Sequence, residues 1–391
     1  HARTDTDQLL VLMDHIRCAA FELPFEAGDT FGSAEPPTMG KRSGVDLDEA
    51  LEYLVEQGIV QREGSRWHWV ADTYPANAVS LRSIAEGNFV VVDVSEGAKN
   101  VIAEVDWSSA PLTLYEGAIY MVQSAPWQVE RLDWVGRKAF VRRTRADYYT
   151  DAIDYTKLKV LDEFERAEGE NGHVAHGEVH VVRRVAGYKK IRYYTHENVG
   201  YGNVNLPDQE MHTTAVWWEL RPEALERAFA SRFEAIDGFL GAAYALHHIA
   251  ALLSLAELRD IGRSVGDGNA GWSAVLDASG RGAVRMLDGT PYDVERRALP
   301  FKPAVHLYDN YPGGIGIAGP LFGIREEIVA RTHDLVSHCG CNYGCPACIG
   351  PVLPPAGAQR HSPKAAAIRV LGLFVDRTLR EGTAPLLPHD L

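Results

Sequence analysis

The sequence lacks a long apolar stretch, an excess of basic residues and scattered cysteines. No apolar run approaches the ~20 residues of a membrane-spanning helix and no signal peptide opens the chain, so we expect no membrane partner. The formal net charge of −14 argues against a generally basic nucleic-acid coat protein, so nucleic-acid contacts would have to come from local basic patches. Only five cysteines occur in 391 residues and most are clustered, which indicates a reducing cytoplasm.

Motifs for nucleotide hydrolysis are also missing. Gly40-Lys41 resembles the end of a phosphate loop, but Arg42 follows in place of Ser or Thr, and Glu35 stands where the earlier glycine belongs. We therefore expect that this chain alone does not hydrolyse ATP.

A glycine-rich turn follows the apolar segment 304–309, which is predicted to be a buried strand. Gly314, Gly316 and Gly319 match a dinucleotide-binding fingerprint, but no second strand with a terminal acid follows, which disfavours nucleotide binding. Two interpretations remain. In the first, the backbone N–H groups of the turn and of the following helix bind one nucleic-acid phosphate. In the second, the turn only brings the backbone against the cysteine loop.

Four of the five cysteines fall within ten residues, at Cys339, Cys341, Cys345 and Cys348, whereas Cys18 lies in a distant helical pattern. Disulfides are disfavoured because nothing suggests secretion and a CxC spacing closes a strained ring. Thiolates on tight turns suit a tetrahedral zinc with Zn–S distances of about 2.3 Å. An iron–sulfur cluster is the alternative, because four cysteines also hold clusters. Closed four-thiolate zinc sites are structural, so the pattern predicts a metal site that stabilises the domain rather than a catalytic centre.

Hydrophobic periodicity indicates an α+β, multidomain fold. Residues 1–75 contain two amphipathic helices and a hairpin, the outline of a winged helix, and the acids on the second helix favour packing over DNA binding. Residues 76–220 contain short strands separated by turn residues, which predict a small antiparallel β-barrel. Residues 221–391 read as a mixed α/β zinc-binding domain that is closed by the four-cysteine site.

Basic and aromatic residues alternate in the predicted barrel. Phosphates attract Lys and Arg while bases stack on aromatic rings, so this mixture predicts a surface for single-stranded DNA. The equally weighted alternative is the ordinary outer face of a barrel. The predicted nucleic-acid ligands are Arg142, Arg143, Arg145, Arg183, Arg184, Lys189, Lys190, Arg192 and Tyr193.

A second metal constellation is formed by His173, His176, Glu178 and His180. Strand alternation places the last three on one face. We favour a half-exposed strand, because His and Glu are common on solvated faces. A metal site here would predict metal beyond one equivalent per chain.

Several segments resemble the MrfA-type helicases, superfamily-two DNA helicases related to the fungal Hrq group. Besides the four cysteines, these segments are 18–25, 115–120, 129–133, 147–150, 187–190 and Tyr308-Asp-Asn-Tyr-Pro-Gly-Gly-Ile-Gly316. The resemblance implies an ATP-dependent 3′–5′ helicase in DNA repair, with zinc on the four cysteines and accessory domains that guide single-stranded DNA. It also implies two RecA-like motor domains that use ATP and Mg²⁺, whose motifs this chain lacks.

The sequence therefore predicts the DNA-engaging and structural half of a repair helicase, cytoplasmic and associated with the nucleoid when active. The start at His1, without methionine, fits a fragment. The competing prediction is a protein-interaction or structural module without DNA binding of its own.

Overall fold

The computed structural model describes residues 8–31, 46–77, 79, 87–95, 97, 99–195, 197–267, 270–276, 282–286, 301–350 and 361–375. The first unit consists of α1 (Leu9–Glu22), β1 (Phe25–Glu26), α2 (Leu47–Glu56), β2 (Val60–Glu63) and β3 (Arg66–Trp69). Its strands form an antiparallel sheet in the order β1-β3-β2.

The first unit is the predicted winged helix. The Asp46 side chain caps α2 by accepting the Asp48 N–H, and Gly64 takes a positive φ at the hairpin turn. Ile16, Leu51 and Trp67 are buried between the helices and the wing.

A five-stranded sheet follows the winged helix. Its elements are β4 (Asn88–Asp93), β5 (Asn100–Asp106), α3 (Ala110–Thr113), β6 (Ile119–Val122), β7 (Ala125–Asp133) and β8 (Lys138–Arg143). The strand order is β5-β4-β8-β7-β6, antiparallel except for the β4–β8 pair. The sheet curls as a half-barrel over Phe89, Leu114 and Tyr115, so the predicted small barrel is an open one.

A larger sheet dominates the rest of the chain. Its strands are β9 (Tyr148–Glu168), β10 (Gly172–Arg192), β11 (Asn198–Asn203), β12 (Gln209–Leu220), β13 (Ile261–Asp267), β14 (Ala270–Leu276), β15 (Gly282–Met286) and β16 (Pro303–Asp309). The order is β11-β10-β12-β16-β13-β14-β15, and β9 pairs with β10 as a long hairpin. Because β12 pairs with β16, strands on both sides of the predicted boundary at residue 220 belong to one sheet.

Five helices of the described residues belong to this part of the chain: α4 (Pro222–Ala228), α5 (Arg232–Ser254), α6 (Ala318–Gly323), α7 (Arg325–His338) and α8 (Pro363–Phe374). Of these, α5, α6 and α8 pack against strands of the sheet. Helix α5 packs against α7 and α8. A Cβ at Gly238 would lie 2.8 Å from the Ala366 carbonyl oxygen, and one at Gly241 would lie 3.1 Å from the Ala367 Cβ. The glycines therefore let α5 and α8 approach closely, next to the cysteine loop.

Helix α5 differs from the sequence-based expectation of no long apolar segment. Among the described helices, it is the one that could cross a membrane by length and composition alone. In its most apolar window, 56% of the residues are buried inside the protein, as in the core helix of a globular domain.

Candidate metal centre and nucleic-acid surface

The four clustered cysteines converge at the end of α7. Their sulfurs all lie within 4.8 Å of one another, with separations of 3.6 Å for Cys339–Cys345, 3.5 Å for Cys341–Cys348 and 3.6 Å for Cys345–Cys348. A zinc–thiolate tetrahedron with Zn–S of about 2.3 Å has sulfur–sulfur edges of about 3.8 Å. The donor set therefore fits a single tetrahedral ion.

Local backbone structure sets the sulfur positions. Cys339 leaves α7 in an extended conformation, and the N–H groups of Cys348 and Ile349 both donate to the Cys345 carbonyl oxygen at 3.1 Å. The Ala347 N–H, followed by the neighbouring thiols, lowers the pKa of Cys345 to about 7, whereas burial raises the pKa of Cys348 to about 12. A coordinated metal ion deprotonates such thiols outright.

Helix α8 holds the cysteine loop through a buried lysine that sequence reasoning missed. The Lys364 ammonium donates to the carbonyl oxygens of Cys339 at 2.6 Å and Cys341 at 2.8 Å. The Lys364 N–H donates to the Tyr343 carbonyl oxygen at 3.1 Å. The ammonium also offsets the negative charge that four thiolates leave on a divalent ion. By contrast, the exposed His338 pairs with Asp334 through Nδ1 at 2.9 Å.

Carboxylates engage four of the predicted nucleic-acid arginines. The pairs are Arg142–Glu130 at 2.6 Å, Arg183–Asp154 at 3.8 Å, Arg184–Asp208 at 2.7 Å, and Arg192 with Asp147 and Glu197 at 3.5 Å each. Arg183 also donates to the Asn310 side-chain oxygen at 2.7 Å. These cations would have to leave a partner before binding phosphate.

No carboxylate of the described residues lies within ion-pair distance of Arg143, Arg145, Lys189 or Lys190. The two lysines lie near the open end of the β9–β10 hairpin, where Lys190 Nζ stands 5.4 Å from the Tyr148 ring centroid. Alternation places Lys189 and Lys190 on opposite faces of β10, so the sequence-predicted patch is divided between two faces.

Several tyrosines lie at the same end of the hairpin. The ring centroids of Tyr149 and Tyr193 are 5.7 Å apart and those of Tyr193 and Tyr194 are 6.5 Å apart. Tyr194 is 97% exposed. The Tyr193 hydroxyl donates to the Met121 sulfur at 3.7 Å, which connects the hairpin to the half-barrel. We call Tyr148, Tyr149, Lys189, Lys190, Tyr193 and Tyr194 the hairpin-end surface; it has two faces, with Lys190 and Tyr148 on one and Lys189 and Tyr149 on the other.

The structure divides the predicted His/Glu constellation. His173 lies near the hairpin turn, opposite Glu219 and Glu168. His176 packs between Phe164 and Phe322. Burial is the main cause that lowers the pKa of both imidazoles. Glu178 and His180 remain together on the open part of the strand face.

N–H groups of the glycine-rich turn donate hydrogen bonds within the protein. Ile315 and Ile317 donate to Asp309 Oδ2 at 2.9 and 3.1 Å, and Thr214 Oγ1 donates to it at 3.3 Å. Despite these hydrogen bonds, burial raises the pKa of Asp309 to about 6. The interpretation that these N–H groups bind a nucleic-acid phosphate is therefore wrong, because a buried carboxylate already occupies them.

Comparison with known proteins identifies two domains. Residues 242–349 match the MrfA Zn-binding domain, and residues 4–84 match the winged helix domain of the ATP-dependent helicase HRQ1. The chain is 35% identical over 350 residues to the ATP-dependent helicase YprA of Bacillus subtilis, covering 89% of this chain and 41% of YprA. It is 23% identical over 359 residues to the ATP-dependent helicase HRQ1 of Saccharomyces cerevisiae, covering 88% of this chain and 29% of that protein.

Solved structures agree with these matches. A crystal structure described as the DUF1998 helicase MrfA bound to DNA matches with a TM-score of 0.52 and 31% identity, over 95% of this chain and 43% of that one. A second MrfA crystal structure matches with a TM-score of 0.57 and 29% identity, over 94% of this chain and 45% of that one. The chain thus spans less than half the length of these relatives.

Proposed function

We propose that this chain, which is homologous to part of the MrfA, YprA and Hrq1 helicases, is the DNA-engaging and structural region of an ATP-dependent 3′–5′ repair helicase. RecA-like motor domains that use ATP and Mg²⁺ belong to the rest of such a helicase. In this proposal the region guides single-stranded DNA, in the cytoplasm and at the nucleoid, while the motor steps along the strand.

The hairpin-end surface is the observation that carries this proposal. It combines lysines without described carboxylate partners and closely spaced tyrosines, one of them almost fully exposed. Backbone phosphates bind such cations and bases stack on such rings without regard to sequence. Arg143, the last residue of β8, and Arg145, which precedes β9, lie in the short connection to the hairpin and have no described carboxylate within ion-pair distance.

We also propose Zn²⁺ as the ion of the cysteine site. An iron–sulfur cluster places several iron and sulfide atoms between its thiolates, so its cysteine sulfurs stand farther apart than those around one ion. The mutual separations within 4.8 Å therefore favour zinc. Elemental analysis should give about one zinc per chain and a colourless protein. A brown protein with iron would contradict the zinc assignment.

Replacing Lys189 and Lys190 by glutamate is expected to weaken binding of a single-stranded oligonucleotide about tenfold or more, because the lysine on whichever face of β10 the strand follows becomes repulsive. Fluorescence anisotropy at two salt concentrations measures the effect, and binding by the unmodified chain should weaken steeply with salt. The matched control is Lys157→Glu with Lys159→Glu, which makes the same charge change on exposed positions of the same hairpin. Equal losses in both variants would indicate only a net-charge effect.

A protein-interaction or structural module is the second candidate. It is favoured by the net charge of −14 and by the four arginines already paired with carboxylates. Such a module would bind no oligonucleotide even at low salt, where phosphate contacts are strongest.

A further inference from the structure

Two histidines meet across the central sheet: His180, which belongs to the His/Glu constellation found in the sequence, and His212, which does not. His180 of β10 and His212 of β12 are direct cross-strand partners. Their ring centroids are 5.0 Å apart, with the ring planes inclined by 42°. Side chains paired in this way have Cβ atoms about 4.5–5.5 Å apart, so both imidazoles stand side by side on one face.

Two glutamates complete the group. Glu178 and Glu210 each lie two positions before the histidine of their own strand, so they project from the same face. His180 Nε2 is 3.1 Å from Glu210 Oε2, and His212 Nδ1 is 3.6 Å from Glu178 Oε1. Each histidine thus contacts the glutamate of the opposite strand. We call these four residues the His–Glu cluster.

Two side chains of the cluster are largely enclosed, and the other two are exposed and can rotate. The side chains of His180 and Glu178 are 25% and 34% exposed, whereas those of His212 and Glu210 are 65% and 62% exposed. The backbone beneath His212 is held, because the Gly313 N–H donates to its carbonyl oxygen at 2.7 Å. An ion can therefore reach the cluster from solvent, and two of its side chains have room to rotate.

We propose that the His–Glu cluster is a second metal site, which takes a divalent first-row transition ion such as Zn²⁺ through both imidazoles and at least one carboxylate. Imidazole and carboxylate are ligands for such ions. Ligand atoms about 2.0–2.1 Å from a tetrahedral ion lie about 3.3 Å apart, close to the present nitrogen–oxygen separations of 3.1 and 3.6 Å.

The site is expected to bind more weakly than the cysteine centre. Among the described residues, only the four cysteines have ligand atoms all within 4.8 Å of one another. The His–Glu cluster must close by rotation of His212 and Glu210, and each side chain immobilised in this way costs conformational entropy.

Occupancy would cross-link β10 and β12 beside the glycine-rich turn. The same turn meets the winged helix, since Gln8 Nε2 donates to the Pro312 carbonyl oxygen at 2.9 Å. The ion would therefore stabilise the sheet next to a contact between two parts of the chain. This inference does not depend on DNA binding.

The test is a Co²⁺ titration of the untagged chain whose cysteine centre is already filled with zinc. We expect one additional Co²⁺ per chain, with weak visible bands and without the near-ultraviolet thiolate charge-transfer band of a cysteine site. We expect the bound ion to raise the Tm. His212→Ala should weaken this second binding at least tenfold, and Glu178→Gln should also weaken it. His15→Ala, which removes another exposed imidazole from α1, should leave it unchanged.

Circular dichroism verifies that each variant is folded, and the exposure of His212 makes its truncation the safest for the fold. The proposal is overturned if the folded chain binds no second ion, or if His212→Ala binds it with unchanged affinity. A charge-transfer band that rises with the added Co²⁺ would also overturn it, because the ion would then be on the cysteines.

Discussion

Cys345→Ser is expected to release the metal and unfold the region built from α5, α7 and α8. Structural zinc sites contribute roughly 10–16 kcal/mol of apparent binding energy in small peptides, as much as the total stability of many domains, about 5–15 kcal/mol. The Cys345 sulfur lies 3.6 Å from those of both Cys339 and Cys348, so its loss removes a corner of the tetrahedron. A serine hydroxyl is a poor substitute, because it keeps its proton at neutral pH.

The expected unfolding follows from the position of the metal loop. It joins the end of α7 to the start of α8, and Lys364 bonds the loop backbone to α8. Without the ion, the loop loses its cross-link, and α8 depends on its packing against α5 and α7. Elemental analysis should show loss of zinc, and hydrogen exchange should show lost protection in α7 and α8.

Cys18→Ser is the matched control for this substitution. Cys18 lies half-buried on α1, the helix whose Leu12, Ile16 and Ala20 belong to the separate core of the winged helix. Its replacement should keep one zinc per chain and leave protection of α7 and α8 unchanged. An unaltered melting curve with retained metal in Cys345→Ser would contradict the structural role of the cysteine site.

Local signals predicted the winged helix and the gathering of the cysteines. An Asp cap, a glycine hairpin turn and helical periodicity each act within a few residues, so one sequence suffices to find them. The cysteines are equally local, because their spacing forces the sulfurs together on tight turns.

The first strand of the long hairpin was not predicted, because its stability is not local. Strand β9 carries a run of acids, at Asp162, Glu163 and Glu165, that gives no alternating apolar pattern. It is extended because β10 pairs with it from Arg192 back to His173. Pairing of this kind depends on a partner strand rather than on β-propensity.

The partners of the predicted site residues could not be predicted either, because they are distant along the chain. Arg142 and Arg184 find Glu130 and Asp208, which lie 12 and 24 residues away along the chain. Lys364 reaches the cysteine loop across 25 residues to Cys339. Tertiary contacts decide which basic side chains have a carboxylate partner, and the sequence specifies only the residue types.

Asp309→Ala is expected to destabilise the protein by about 2–4 kcal/mol, because it leaves buried hydrogen-bond donors without an acceptor. The affected donors are the N–H groups of Ile315 and Ile317 and the Thr214 hydroxyl. Asp309→Asn keeps an acceptor oxygen and the side-chain shape, so it should cost less. Urea unfolding at pH 7 compares the three proteins.

The pH dependence of Asp309→Asn tests the buried charge itself. Burial raises the folded-state pKa of Asp309 from 3.8 to about 6, so between these values the folded protein binds more protons than the unfolded chain. The contribution of Asp309 to stability therefore falls as the pH rises from about 4 to about 6, by on the order of 3 kcal/mol. Asp309→Asn removes this contribution. The difference in unfolding free energy between the variant and the unmodified chain should therefore change between about pH 4 and about pH 6.

Asp208→Asn supplies a control with the opposite sign. The hydrogen bond from Arg184 lowers the pKa of Asp208, so its contribution to stability is lost as the pH falls. Relative to the unmodified chain, Asp208→Asn should therefore lose less stability on acidification, whereas Asp309→Asn should lose more. If the difference for Asp309→Asn stays constant between pH 4 and pH 7, the carboxyl group does not titrate in this range. Its hydrogen bonds to Ile315, Ile317 and Thr214 would then outweigh the cost of burying its charge.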